Sequence, residues 1–225
     1  MDLYCDAPAP EAEDLLRQAD RAAALIAGHM GLAVPACRPR VYVFDSSWAM
    51  YVYLAEHCPQ QKSSRAACFE TSAGYALALV RRRDREQTLQ SLRHETTHWI
   101  LASRYSDLPR WIDEGLAQYF EAGEPFGKVH EEKLDQLRSL LEENRPLLEP
   151  LVTMPSDRNP TSEEYAAAWG LTYFLIKHPR FGLERIKDYM SSARSGPKAR
   201  ATFVDVFGCA PRELEIPLRL HLGAK

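Results

Sequence analysis

The chain has 225 residues, of which 45% are hydrophobic and 26% charged, a balance that supports a packed core. Its formal net charge of -3 gives no electrostatic case for nucleic acid or an anionic membrane surface. Five scattered cysteines without a C-x-x-C pair argue against a disulfide framework or a cysteine-rich zinc module, and are read as reduced, small apolar residues.

The opening residues M-D-L-Y-C-D carry neither a basic stretch nor an apolar run, so no signal peptide is expected. No segment reaches the ~20 apolar residues of a membrane span. A soluble, cytoplasmic location is the expectation, export staying open should the natural chain carry a longer N-terminus. From Glu11 to about Met30, Leu15, Leu16, Ala19, Ala22, Ala23 and Ile26 recur at helical spacing, and Gly31 marks the stop. Arg40 to Phe44 reads as a short strand. Ser46 and Ser47 suit the cap of a helix carrying Trp48, Tyr51 and Leu54, with continued strand as the alternative. Pro59 to Arg65 is a polar loop. Ala67 to Thr71 and Tyr75 to Val80 then form a plausible hairpin around Ser72-Ala73-Gly74.

Beyond Asp84 the period becomes helical. One helix begins near Glu86, and Pro109 opens the next at a position proline tolerates. Further helices are predicted over Val129 to Leu141, from a Thr161/Glu164 capping box through Ile176, over Leu183 to Ala193, and over Ala199 to Phe207 with Gly208 as stop. Pro211 begins a last piece that Pro217 is expected to break or kink. With no repeat and no long linker, residues 1–225 read as a single domain. Residues 1–85 supply a helix plus a β region, and residues 86–225 a helical half. The fold class is α+β with a small, mainly antiparallel sheet.

Residues 94–98 read H-E-T-T-H within a predicted helix. Histidines four apart lie one above the other on a helix face, so both imidazoles can reach one metal ion. Glu95, rotated about 100° around the axis, does not compete for the metal but reaches a water beside it. Two ordinary helix histidines are the bland alternative.

The segment P-R-W-I-D-E-G-L-A-Q-Y-F-E, residues 109–121, shifts that balance. It predicts a second amphipathic helix with Ile112, Leu116, Tyr119 and Phe120 inward and Glu114 on its inner side. Gly115 next to it permits two helices to approach closely, and the short turn from Arg104 to Leu108 would return this helix against the first. His94, His98 and Glu114 then make the three protein ligands of an open zinc site, with Glu95 as general base. A surface glutamate is the alternative for Glu114.

H-E-T-T-H followed by W-I-D-E-G-L-A-Q-Y-F resembles the gluzincin branch of the zincin metallopeptidases, in particular the compact bacterial peptidase-MA-like domains. The order of Arg40–Phe44, Cys68–Val80 and residues 89–121 follows that pattern, and F-G-C-A-P-R-E-L-E at residues 207–215 resembles its closing helix. The resemblance implies a zincin-like fold and a zinc peptidase that takes an extended peptide or protein substrate. Fifteen residues separate His98 from Glu114, fewer than in large aminopeptidases with this motif. Where many gluzincins carry an acidic residue that orients a histidine, one turn after the ligand glutamate, this chain has Gln118. Asp113 should point elsewhere.

The resemblance also makes Tyr165 the first choice for the catalytic donor to an oxyanion. A plain core stripe of Tyr165, Trp169 and Tyr173 competes with that role, and His130 and Tyr119 are weaker alternatives. It implies a substrate strand paired to an exposed sheet edge, for which Gly74 to Val80 is the candidate. The run Arg81-Arg82-Arg83-Asp84-Arg85 reads as a solvated charged turn sooner than a site for acidic substrates. Two other function classes stay open. One is a zinc-binding module of the same fold with a regulatory or binding role and no turnover. The other is a metal-free helical interaction protein.

Overall fold

The computed structural model describes residues 2–5, 9–61, 66–143, 146–155, 158–192 and 197–223. In chain order the elements are β1 (Asp2–Cys5), α1 (Ala9–Met30), β2 (Arg40–Phe44), α2 (Ser47–His57), β3 (Ala66–Thr71) and β4 (Gly74–Val80). There follow α3 (Arg85–Ala102), α4 (Arg110–Glu121), α5 (Glu131–Glu142), α6 (Leu148–Val152), α7 (Ser162–Lys177), α8 (Gly182–Ser192), α9 (Pro197–Phe207) and α10 (Glu215–His221). The chain divides into two compact units, Met1–Arg104 with Phe120–Glu124, and Tyr105–Tyr119 with Pro125–Lys225. No helix among the described residues is long and apolar enough to cross a membrane.

The first unit is built on a four-stranded sheet in the order β1-β2-β4-β3. The expected hairpin forms between β3 and β4, antiparallel, with Thr71 opposite Gly74 at its tip. Gly74 turns there with φ of +106°, a conformation glycine adopts without strain. The sheet is nevertheless mixed and not mainly antiparallel, because β1 pairs parallel with β2 and β2 parallel with β4. Parallel neighbours need a crossover, which α1 supplies between β1 and β2.

Alternation along the strands divides the core between two faces. On one face Ala67, Phe69, Ala76, Ala78 and Val80 are packed with Met50 and Leu54 of α2 and with Cys58 just past its end, and Tyr42, Phe44 and Tyr53 border them. Val41, Val43, Leu77 and Leu79 alternate to the other face and are also buried. There α1 and α3 pack on the sheet and on each other. Burial on both faces accounts for the unbroken apolar run Ala76–Val80, a signature of an interior strand. So β4 is not a sheet edge, and the segment expected to receive an extended substrate lies between two neighbours. The edges are β1 and β3.

Ser46 settles the choice at α2 in favour of helix, its side chain accepting from the Ala49 backbone N–H. Pro59–Gln61 form a 3-10 turn, while residues 62–65 of the expected loop lie outside the described residues. Two arginines of the run are engaged by carboxylates. Arg81 pairs with Glu11 and Asp45, and Arg85 with Asp14, whose carboxyl it holds below its ordinary pKa.

In the second unit α7 is central, with α5, α6, α8 and α10 packed around it. Its capping box forms as the sequence predicts: Thr161 Oγ1 accepts from the Glu164 N–H, and Glu164 accepts from the Thr161 N–H at 2.8 Å. Helix α6 has no local start signal. The Glu215 carboxylate caps it from far along the chain, accepting from the N–H groups of Leu147 and Leu148. Pro217 does not break the last helix. It is the third residue of α10, where a missing N–H breaks no intrahelical bond.

Candidate metal centre

Helix α3 starts at Asp84, whose side chain accepts from the Glu86 N–H, and it runs without interruption to Ala102. Its helical rise stacks His94 over His98, with ring centroids 4.8 Å apart and planes inclined by 72°. Both are half-buried, whereas Glu95 between them is 5% exposed.

Helix α4 buries Ile112, Leu116, Tyr119 and Phe120, the apolar face the sequence predicts, and Trp111 and Ala117 with them. Glu114 and Gln118 share that inward side at 2% exposure each. One ligand atom from each of His94, His98 and Glu114 lies within 4.8 Å of the others, the spacing of a group able to hold a metal ion. The Arg110 guanidinium reaches Glu114 Oε1 at 3.0 Å and Asp113 Oδ2 at 3.6 Å. Asp113 is thus engaged on the Arg110 side of the helix.

Gln118 does not orient a histidine. Its Nε2 donates to the carbonyl oxygens of Glu114 and Tyr165, both at 3.1 Å. A carboxylate does meet one of these histidines: Glu121, at the end of α4, has Oε2 2.9 Å from Nδ1 of His94. The sequence reading missed it. Seven residues after Glu114, two helical turns on, it lies on the same helix face, but that spacing does not name its partner.

Tyr165 sits in the first turn of α7, half-buried, its carbonyl tied to Gln118 four residues from Glu114. Trp169 and Tyr173 do form a ring pair, with centroids 5.5 Å apart, and the His130 ring meets Trp169 edge-on at 6.4 Å. Tyr119 is buried beside Tyr173, and that burial raises its hydroxyl pKa.

Residues 88–197 match the model of a family described as a protein of unknown function, DUF1570. The matched segment includes His94, Glu95, His98, Glu114, Glu121 and Tyr165. No curated protein matches the chain, and no solved structure does.

Proposed function

We propose that the chain is a zinc-dependent hydrolase of the gluzincin type that cleaves peptide bonds. The observation carrying this reading is the gathering of His94, His98 and Glu114 into one ligand group, with the buried carboxylate of Glu95 on the same helix as the histidines. Two imidazoles and one carboxylate suit zinc, and three protein ligands leave a fourth position for water or substrate. Bound there, zinc would act as a Lewis acid toward a carbonyl and lower the pKa of water to ~7.

Within that reading Glu95 takes the proton of the attacking water and passes it to the leaving amine. Tyr165 is the hydroxyl assigned to the developing oxyanion, supported by its hydrogen-bonded tie to the Glu114 helix. An extended substrate pairs with β3, the antiparallel edge against which α3 packs, in place of the interior β4. Retention of a buried Glu95 favours turnover over a silent metal-binding module.

Metal analysis of the purified protein tests the site. About one zinc per chain is expected, lost on His94→Ala or Glu114→Ala; zinc-free protein under saturating zinc would overturn the reading. Incubation with a proteome-derived peptide library tests the activity. Glu95→Gln should keep the metal and slow cleavage by about 10²–10⁴-fold, and identical product patterns for the variant and the parent would exclude this mechanism.

A further inference from the structure

Glu121 occupies a position that local energetics disfavour. It is the last residue of α4, where the negative end of the helix dipole opposes a carboxylate. Its side chain is only 14% exposed, and that of His94 only 19%, so the pair at 2.9 Å is largely withdrawn from water. Two groups on α3 receive this residue. Arg93 Nε donates to the Glu121 backbone carbonyl at 2.6 Å, and the same guanidinium pairs with Glu86. The backbone is thereby fixed by Arg93, leaving the carboxylate to meet the neighbouring His94.

We infer that Glu121 is a positioning residue of the metal centre, holding His94 in the tautomer whose Nε2 faces the metal. The inference rests on the metal-site reading above. A carboxylate accepting from Nδ1–H keeps the proton on that nitrogen and leaves the Nε2 lone pair available. It also fixes the ring orientation, which the half-buried His94 side chain would otherwise have to be given by packing. Glu121 takes the part that Gln118, occupied with two backbone carbonyls, does not perform.

The test compares the parent protein with Glu121→Ala and Glu121→Gln. Zinc is titrated against a chromophoric chelator, and the absorption spectrum of the cobalt-loaded proteins is recorded. Glu121→Ala should bind zinc about 10–100-fold more weakly and shift the cobalt bands. Glu121→Gln, whose amide oxygen still accepts from Nδ1–H, should recover most of the affinity and the parental spectrum. Thermal unfolding of the metal-free proteins should be nearly equal, because the Arg93 bond is to the backbone and survives both substitutions. Parental zinc affinity and spectrum in Glu121→Ala would overturn the inference while leaving the metal site standing. Equal weakening in both variants would overturn the hydrogen-bond role. A parent protein that binds no zinc would instead remove the metal-site reading, and this inference with it.

Discussion

Gly115 on α4 leaves no room for a side chain against Thr172 on α7. A Cβ at residue 115 would collide with the Thr172 hydroxyl oxygen and lie 2.6 Å from the backbone carbonyl oxygen of Ala168. Thr172 is β-branched and buried, and a helix carbonyl cannot move alone, so neither neighbour yields cheaply. The contact joins two helices of the second unit and sits beside Glu114.

Gly115→Ala should therefore force α4 away from α7. Overpacking of this kind costs about 2 kcal/mol, which lowers Tm by roughly 4–8 °C in a chain of this size. Zinc affinity should fall with it, because Glu114 moves with the helix. Thermal unfolding with and without zinc measures both, and an unchanged Tm would contradict the close approach.

Zinc should stabilise the folded chain by linkage. At a free concentration of 100 Kd the gain is about 2.7 kcal/mol, or roughly 5–11 °C in Tm. A chelator should reverse the shift, and His98→Ala should abolish it. The same zinc-induced shift in His98→Ala would place the metal elsewhere.

The Glu164 carboxylate is held below its ordinary pKa, first by the hydrogen bond from Arg158 and then by the N–H of Thr161. A depressed acid pKa contributes stability above the unfolded-state value and loses it as pH falls through the folded-state value. Glu164→Gln keeps the capping-box acceptor and removes only the charge, so its cost near pH 7 should be about 0.5 kcal/mol. The difference should shrink below about pH 4.5. Urea denaturation at both pH values checks this, and a pH-independent gap would assign the effect to the cap alone.

Tyr189 is fully buried and its oxygen accepts from Nε1 of Trp111 at 3.2 Å. Tyr189→Phe leaves that indole N–H without its acceptor, at a cost of about 1–3 kcal/mol. Burial raises the Tyr189 pKa, so its contribution is complete below the unfolded value near 10 and is lost as pH rises beyond it. Spectrophotometric titration should find the same number of tyrosines ionising in folded Tyr189→Phe as in the parent. One fewer would show that Tyr189 is accessible to base.

Many of the helices were legible because their signals are local. Thr161 and Glu164 meet within one turn, Gly31 and Gly208 stop α1 and α9 with positive φ, and the Ser46 cap decides α2. The elements that escaped depend on distant partners. Strand β1 has only four residues and is defined by parallel pairing with β2, reached after the whole of α1. Helix α6 owes its start to Glu215. The interior place of β4 was written in its unbroken apolar run, whereas the resemblance to zincins pointed to an edge.

The candidate site divides in the same way. Four-residue spacing by itself stacks His94 on His98 and sets Glu95 beside them, since helix geometry fixes side-chain direction within a turn. The inward side of α4, with Glu114, follows from its apolar period. Only the tertiary structure decided that Glu121, 27 residues from His94, supplies its carboxylate partner, that Gln118 turns to backbone carbonyls, and that Gly115 serves the approach to α7. Each of those choices depends on which helix comes to lie alongside, and residue spacing within one helix carries no such information.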